Sequence, residues 1–226
     1  MADATTRENK KDQSVRKILN AALLVFATQG YNGARVDAIA RKAGVNKAMI
    51  YYRIGNKQSL YQAVIHDIYQ DRAAQLRREI QSRSTPEEKL KTYIASVAAI
   101  MDAHPHFTRI MIREMVSGWA NFSPAIFEEI SVTVKIVQAI LDEGVEKGGF
   151  VKTDPHAVHT MVIGTLILNH LTQPVKNQIM AALASPESPS DNKGFDQLVP
   201  QVQRLVIAAL RPGVDTLTPQ LQDEVN

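Results

Sequence analysis

A glycine turn between two short amphipathic helices constrains the fold of this chain more than any other feature. It lies in residues 34–60, ARVDAIARKAGVNKAMIYYRIGNKQSL. The apolar side chains that recur there at intervals of three or four residues are Val36, Ile39, Ala40 and Ala43. This spacing predicts one buried helical face. Gly44 then ends the helix, because glycine adopts positive φ without a steric penalty.

A second short helix follows the turn. Asn46 is a suitable N-cap residue, since its side chain accepts a hydrogen bond from a free N–H group of the first turn. Ile50 lies on the inner side of the predicted helix 47–53, which leaves basic and aromatic side chains outside. This arrangement is typical of a helix-turn-helix, whose second helix enters the DNA major groove. Turn geometry alone is equally typical of an αα-hairpin in a helical core.

A third helix precedes this pair, in residues 14–29, SVRKILNAALLVFATQ. The apolar side chains that share one face of it are Val15, Ile18, Leu19, Ala22 and Phe26. Gly30 ends the segment. The same stretch is a poor secretory signal, because its apolar run is short and lies behind a charged arm. We therefore expect a three-helix domain over residues 14–57.

The charge of the chain is divided unevenly. Residues 1–57 carry eleven Lys and Arg against four Asp and Glu, whereas the other 169 residues carry fifteen against nineteen. The net charge of +3 hides this asymmetry. A basic part on an acidic body is typical of a protein in which one part meets nucleic-acid phosphates. Arg7, Lys10 and Lys11 lie in residues 1–13, which we expect to form a flexible basic arm.

The residue types between Ile18 and Val64 follow a recognisable order. Around Gly44 to Leu60 the order is AGV, a small polar cap, Lys, an apolar residue, Tyr-Tyr, then a turn with Lys and a hydrophobic residue. In this order the segment resembles the N-terminal signature of the TetR/AcrR family of one-component repressors. The resemblance implies a sequence-specific regulator, expected to be a repressor, that binds a roughly palindromic operator as a homodimer. It also implies release of the operator when a small molecule fills the C-terminal domain.

Some positions depart from what that family often has. Ala48 replaces a glycine and Ile54 replaces a phenylalanine, whereas Arg35 and Val36 stand where the family has threonine or serine. Ala48 still permits close approach of the backbone to DNA, and Ile54 suits a core. The missing hydroxyl groups remove a helix cap and a phosphate contact, which we expect Arg35 to replace electrostatically.

The resemblance also implies which residues meet DNA. Lys47 and the backbone near Ala48 approach it first, Tyr51 and Tyr52 meet phosphates, and Arg53 contacts a phosphate or a guanine. For Tyr51, a partly buried ring that closes the small core is an equal alternative. The predicted DNA-binding residues are Arg35, Val36, Asn46, Lys47, Ala48, Met49, Tyr51, Tyr52, Arg53 and Lys57.

The rest of the chain is predicted to be helical, which gives an all-α fold of about nine helices. A connecting helix begins near Asn56 and runs to about Arg83, and Thr85 with Pro86 opens the next helix. Residues 58–210 are expected to form a larger ligand-binding and dimerisation domain. Residues 184–194 form a polar loop, and residues 211–226 form a flexible tail.

Residues 104–122 combine methionine and aromatic side chains with charged ones, which suits an adaptable pocket wall. The apolar helix that follows Asp154 supplies soft and polar side chains for the opposite wall. For any single residue, ordinary core packing is the alternative. The predicted ligand-binding residues are Phe107, Met111, Glu114, Met115, Trp119, Met161, Thr165, Asn169 and His170.

The last two long helices carry apolar stripes. In the resembled family these two helices form a four-helix bundle across a two-fold axis. The alternative is that the stripes close an intramolecular core. The predicted residues of the dimer interface are Val158, Val162, Leu166, Leu198, Val202 and Leu205.

Several function classes are disfavoured. The absence of cysteine excludes a thiol nucleophile and a disulfide framework, and it fits a reducing cytoplasm. The sequence lacks GXSXG, phosphate-loop, GXGXXG and HEXXH motifs, so we expect no enzyme and no cofactor. His156 and His159 lie one turn apart without further ligands, so we expect no metal. No apolar run approaches the ~18 residues that span a bilayer.

The expected partners are a double-stranded DNA operator, a small-molecule inducer and a second copy of the chain, in the cytoplasm and without a membrane. The main alternative is a helical ligand-binding or scaffold protein whose basic head no longer reads a specific DNA sequence. Binding that depends steeply on salt but not on sequence would indicate that alternative. An enzyme on a helical scaffold is the third possibility, and turnover by the purified chain would reveal it.

Overall fold

The computed structural model describes residues 2–183 and 194–213. Within these residues all regular secondary structure is helical, which confirms the predicted all-α fold. In chain order the helices are α1 Ala2–Gly33, α2 Val36–Ala43, α3 Lys47–Arg53, α4 Lys57–Gln81, α5 Pro86–Ala103, α6 Pro105–Val116, α7 Pro124–Glu146, α8 Pro155–Leu183 and α9 Gly194–Leu210. Over the same residues, none of the helices is both long and apolar enough to cross a membrane.

Helix α1 is longer than the sequence predicts. It begins at Ala2, so residues 2–13 are helical where we expected a flexible arm. The reason is local, because residues 2–13 contain no glycine or proline and include several good helix formers. Gly30 interrupts the helix as predicted, with φ 71° and ψ 172°, which are not helical values. The predicted helix 14–29 is therefore present, with an N-terminal extension.

The turn between α2 and α3 has the predicted geometry. Gly44 adopts the left-handed conformation with φ 66° and ψ 34°. The N–H group of Val45 donates to the carbonyl oxygen of Ala40 at 3.0 Å, which satisfies a free carbonyl at the end of α2. Val45 then packs against the core, so the chain reverses sharply before α3.

The caps of these two helices differ. The Oδ1 atom of Asn46 accepts a hydrogen bond from the N–H group of Ala48 at 3.0 Å, which confirms the predicted N-cap of α3. The N-cap position of α2 is Arg35, whose side chain makes no capping hydrogen bond. Ile50 is completely buried, as its position on the inner face of α3 predicts.

The first of two compact units contains the residues up to Arg78 together with Val97–Thr133. Its core joins α1, α2 and α3 to parts of α4, α6 and α7. The largest buried side chains of that core include Phe26, Ile39, Ile50, Leu60, Tyr61, Ile65, Phe107 and Ile110. Three short helices alone bury too little surface for a stable domain. The core therefore extends beyond residue 57, where the sequence places the domain boundary.

The connecting helix and the helix after it begin as predicted. Helix α4 starts at Lys57 and ends at Gln81, two residues before the expected end. At the start of α5, Thr85 Oγ1 accepts the N–H group of Glu88 at 3.2 Å, and the Glu88 carboxylate accepts the N–H group of Thr85 at 3.1 Å. This reciprocal pair is a capping box. The predicted polar loop and tail lie mostly outside the described residues.

The second unit contains Glu79–Ser96 and the residues from Val134 onward. Its buried apolar side chains come from α5, α7, α8 and α9. They include Leu90, Tyr93, Ile94, Val137, Ile140, Leu141, Val158, Val162, Leu166, Val202 and Val206. The N–H group of Val151 donates to the carbonyl oxygen of Leu210 at 2.7 Å, which ties the segment after α7 to the end of α9.

Acidification is expected to destabilise the second unit through His159. Its Nδ1 atom lies 2.7 Å from the Tyr93 hydroxyl oxygen. Burial, with a smaller effect of His156, lowers the pKa of His159 below its ordinary value of 6.5. The unfolded chain therefore binds this proton more readily. The stabilisation is complete above pH 6.5 and is lost as the pH falls through the lower folded-state pKa.

The test is urea unfolding of the parent and of His159→Gln between pH 5 and pH 8. At pH 8 the variant should be less stable by about 1 kcal/mol, because it loses the hydrogen bond to Tyr93. Between pH 7 and pH 5 the variant should lose less stability than the parent. Parallel pH profiles of the two proteins would show that His159 does not contribute.

Candidate nucleic-acid interface

Helix α3 presents an exposed face opposite its buried Ile50. Tyr52 is 88% exposed, Tyr51 is 47% exposed and Met49 is 36% exposed. Other predicted DNA-binding residues are exposed beside them, namely Arg35, Asn46, Lys47 and Ala48. Large aromatic side chains are rarely left in water without a partner. The face is therefore a candidate binding surface, which we call the α3 face.

Lys47 begins α3 and forms an ion pair across the turn. Its Nζ atom lies 2.9 Å from Asp37 Oδ1 on α2, and 6.0 Å from the centre of the Tyr51 ring. The hydrogen bond from Lys47 lowers the pKa of Asp37, and the same bond raises the pKa of Lys47. Both groups are therefore charged at neutral pH. The spacing of residues in the sequence does not by itself predict this contact of Asp37.

Lys57 is held at the end of α1. Its Nζ atom lies 4.7 Å from the centre of the Tyr31 ring and donates to the carbonyl oxygen of Asn32 at 3.3 Å. An ammonium group over an aromatic face is attracted by the ring electrons. Since an ammonium has three N–H groups, one hydrogen bond leaves others for a phosphate. Tyr31 and Asn32 position this lysine, and local sequence patterns gave no sign of their role.

Two of the predicted DNA-binding residues are more buried than the residues of the α3 face. Val36 is only 8% exposed and its side chain belongs to the core of the first unit, which leaves its backbone alone for the predicted DNA contact. The reason is the helical period, which places Val36 on the same face as Ile39. Arg53 is half-buried, and its Nε atom is enclosed without a hydrogen-bond partner among the described residues.

Glu114 has protein partners in the first unit. It is only 2% exposed, and its Oε1 atom accepts hydrogen bonds from the Tyr61 hydroxyl at 2.7 Å and from Asn121 Nδ2 at 2.9 Å. Its Oε2 atom accepts the Asn121 N–H group at 3.3 Å. The carboxylate therefore links α6 to α4 and to the loop after α6. The prediction that it faces a ligand finds no support in these contacts.

The other predicted pocket residues of the first unit have mixed surroundings. Phe107 is buried, with its ring centre 5.4 Å from that of Tyr69. Met111 and Trp119 pack on the core, whereas Met115 is 43% exposed. Trp119 has a positive φ of 61°, which is unusual for a side chain with a Cβ atom. Their role in ligand binding stays a prediction.

A polar pair that the sequence analysis missed lies near Phe107. His66 Nδ1 on α4 is 2.5 Å from Glu129 Oε1 on α7. Glu129 Oε2 is buried and has no hydrogen-bond partner among the described residues. Burial raises the pKa of Tyr69, and the charge of Glu129 raises it further. The His66 side chain is 50% exposed, so this pair lies at the surface and joins α4 to α7.

Some of the predicted pocket residues on α8 are exposed to solvent. Met161 is 44% exposed and Thr165 is also exposed in the single chain, and their role in ligand binding stays a prediction. The hydroxyl group of Thr165 donates to the carbonyl oxygen of Met161 at 2.7 Å. Asn169 and His170 are half-buried, and their role in ligand binding stays a prediction.

The predicted dimer residues divide into two groups. Val158, Val162, Leu166 and Val202 are each at most 4% exposed within a single chain, which favours the alternative that these side chains close an intramolecular core. Leu205 is 68% exposed, and Leu198 is half-buried. Among the side chains of α8 and α9 that the structure describes, the exposed large apolar ones are Met161, Leu168, Leu171, Val175 and Leu205. We call them the α8–α9 apolar face.

A cleft of about 500 Å³ opens in the second unit near the start of α5 and the end of α7. It contains none of the predicted ligand-binding residues. Its lining residues are Thr85, Pro86, Glu87, Gly144, Lys147, Gly149, Phe150, Arg211 and Pro212. Arg211 pairs with Glu87 at 3.0 Å, and Lys147 pairs with Glu143 at 2.7 Å. Within the described residues no group of three or more potential metal ligands occurs.

An α-helix fits the major groove of B-DNA, which is about 12 Å wide. The α3 face follows a tight turn and lies in a segment, residues 14–57, with eight basic residues and one acidic residue. An all-α chain with this arrangement belongs to the class of helix-turn-helix DNA-binding proteins.

Comparison with known proteins identifies the family. The family model of bacterial regulatory proteins of the tetR family matches residues 18–64, and the model of the YcdC-like protein C-terminal region matches residues 66–213. The chain therefore belongs to the TetR family of DNA-binding transcriptional regulators.

Individual relatives agree with this assignment. The HTH-type transcriptional regulator RutR of Escherichia coli K12 is 28% identical over 215 residues, which are 92% of this chain and 96% of RutR. The HTH-type transcriptional repressor NicS of Pseudomonas putida is 30% identical over 64% of this chain and 69% of NicS. The structure of FadR from Bacillus subtilis in complex with stearoyl-CoA covers 87% of this chain and 99% of FadR, with a TM-score of 0.67. At 19% identity, FadR supports the fold alone.

Proposed function

We propose that this chain is a ligand-responsive transcriptional repressor that binds a roughly palindromic operator as a homodimer. A small molecule in the C-terminal domain releases it from the operator. The observation that carries the proposal is the α3 face, where Tyr52 is 88% exposed beside Lys47. The relatives support the repressor role, since NicS is a transcriptional repressor.

The role of the α3 face follows from its chemistry. Lysine and arginine bind phosphate oxygens and guanine, and an aromatic ring covers apolar atoms such as a thymine methyl group. Tyr52 has no packing role in the first unit, because most of its surface is in water. Asn46 fixes the start of α3 through its capping bond, so the first turn has a defined position.

Dimerisation is proposed through the α8–α9 apolar face. Met161, Leu168 and Val175 recur at intervals of seven residues on α8, which is the spacing of a helix–helix seam. Several large apolar side chains exposed along one helix are typical of a protein–protein interface. A single helix-turn-helix reads few base pairs, so two copies are required for tight binding to a palindrome.

Release is proposed to act through α6 and α4. The loop after α6 receives a hydrogen bond from Gln58 Nε2 of α4, which donates to the Asn121 carbonyl oxygen at 2.9 Å. Arg113 of α6 donates to the carbonyl oxygen of Thr28 in α1 at 3.2 Å. A ligand that favours another position of α6 would therefore move α4 and the helix-turn-helix domain that α1 belongs to. Two heads must lie about 34 Å apart to dock in successive major grooves.

The test is selection from random duplex DNA by the purified protein at physiological salt. The parent should enrich one palindromic sequence. Tyr52→Ala should bind that sequence about 30-fold more weakly, because about 1 kcal/mol is lost in each of the two heads.

Val116→Ala is the matched control, since Val116 is 86% exposed in α6 and lies outside the α3 face. It should bind the selected sequence as the parent does. Failure of the parent to enrich any sequence would contradict the proposal and would favour a ligand-binding protein with a nonspecific basic head.

A further inference from the structure

The DNA-facing segment contains one acidic residue. Residues 14–57 include eight Lys and Arg but only Asp37 among Asp and Glu. Asp37 lies in the first turn of α2, and its side chain is 56% exposed. A carboxylate near the phosphate backbone weakens binding to any DNA, because DNA is a dense polyanion. A single carboxylate at this location therefore requires a specific reason.

The fold supplies only part of that reason, because a carboxylate in the first turn of α2 interacts favourably with the helix dipole by less than about 1 kcal/mol. Asp37 pairs with Lys47 at 2.9 Å, but the Lys47 side chain is itself 46% exposed. Ion pairs between exposed side chains add little to folding stability. Asp37 also interacts with the charges of Arg41 and Arg35, but more weakly than with Lys47. Its contact is with the first residue of α3.

The partner of Asp37 is the residue whose position matters for reading DNA. Lys47 opens α3, and the first residues of a recognition helix lie nearest the base edges. A free lysine has a long flexible side chain, and its ammonium binds whichever phosphate is nearest. The carboxylate of Asp37 restrains that ammonium to one place between α2 and α3.

We propose that Asp37 is a specificity-determining residue, which positions Lys47 for one site in the operator and withholds its charge from other phosphates. The inference rests on the proposed function of the α3 face. Asp37 lowers the affinity for nonspecific DNA more than the affinity for the operator. It acts through Lys47, so its effect requires the lysine.

The experiment compares the parent with Asp37→Asn on two duplexes, the sequence recovered by selection and a scrambled duplex of equal length and composition. For the scrambled duplex, Asp37→Asn should bind about 5-fold more tightly, and the slope of log K against log salt should steepen by roughly 0.9 for each freed lysine. Operator affinity should change less than about 2-fold, so the ratio of the two affinities should fall. The melting temperature should fall by no more than about 4 °C, because the helix dipole and an exposed ion pair contribute little.

Two controls separate positioning from simple repulsion. Asp67→Asn removes an equal charge from an exposed position on α4, and it should leave the affinity ratio unchanged. In a Lys47→Gln background, Asp37→Asn should no longer alter the ratio. An equal gain of affinity for both duplexes, or an effect that persists without Lys47, would overturn the proposal.

The failure of the proposed function is distinguishable from the failure of this inference. If the parent selects no sequence, the proposed function fails. The scrambled duplex then still tests Asp37, because the salt slope must steepen in Asp37→Asn and must not steepen in the Lys47→Gln background. An unchanged slope would overturn the role of Asp37 whatever the parent selects.

Discussion

Combining Leu168→Glu with Leu205→Glu should yield a monomer that binds the operator about 100-fold more weakly than the parent. Leu168 is 61% exposed and Leu205 is 68% exposed in the single chain, so neither change removes core packing. In a two-fold symmetric dimer each substitution occurs twice, so four carboxylates would enter one apolar interface. Burying each unpaired carboxylate is strongly unfavourable.

Sedimentation equilibrium measures the association state, and fluorescence anisotropy measures operator affinity. The matched control is Val116→Glu, which places the same charge at an exposed apolar position of α6. This control should remain dimeric. A double variant that stays dimeric would show that the α8–α9 apolar face is not the interface. A monomeric variant with full operator affinity would show that dimerisation is not needed for binding.

Glu114→Ala should destabilise the first unit by about 3 kcal/mol, which is a large part of the stability of a typical domain. The change removes the acceptor for Tyr61 and Asn121, whose donors lie 2.7 Å and 2.9 Å from Glu114 Oε1. Buried donors without an acceptor lose their full solvation energy. Tyr61→Phe removes one hydrogen bond only and should cost about 1–2 kcal/mol.

Urea unfolding of the single and double variants provides the test. The double variant Tyr61→Phe with Glu114→Ala should be less destabilised than the sum of the single variants, because they share one hydrogen bond. Glu128→Ala, at an exposed acidic position of α7, should change stability by less than about 0.5 kcal/mol. Strict additivity of the two single variants would show that the carboxylate and the tyrosine act independently.

The helix-turn-helix could be predicted from sequence because its signals are local. The spacing of Val36 and Ile39 sets the buried face, Gly44 sets the turn, and Asn46 caps the next helix. Each signal acts within a few residues, so no tertiary contact is needed to interpret it. The spacing places Val36 on the buried face, and only the family resemblance placed it among the DNA-binding residues.

The faces of α8 could not be assigned from sequence because apolar residues occur on both. Val158, Val162 and Leu166 proved to be core, whereas Met161 and Leu168 are exposed. Periodicity shows that a face is apolar, but it does not show whether that face packs within one chain or against another. The sequence alone therefore does not separate the core residues of α8 from its exposed apolar residues.

The contacts between segments that are distant in sequence could not be predicted either. The bond between Tyr61 and Glu114 joins residues that are 53 positions apart, and the pair of His66 and Glu129 spans 63 positions. Neither pair has a local pattern. Asp37 is easier to identify from sequence, because it is the single acidic residue of residues 14–57 and its partner begins the next helix.

Hydroxyl-radical footprinting of the selected duplex tests the central claim most directly, namely that two copies of the α3 face read successive major grooves. The parent should protect two patches on one side of the duplex, centred about 34 Å apart, and Tyr52→Ala should lose both together. One patch, or protection spread evenly along the duplex, would contradict the account.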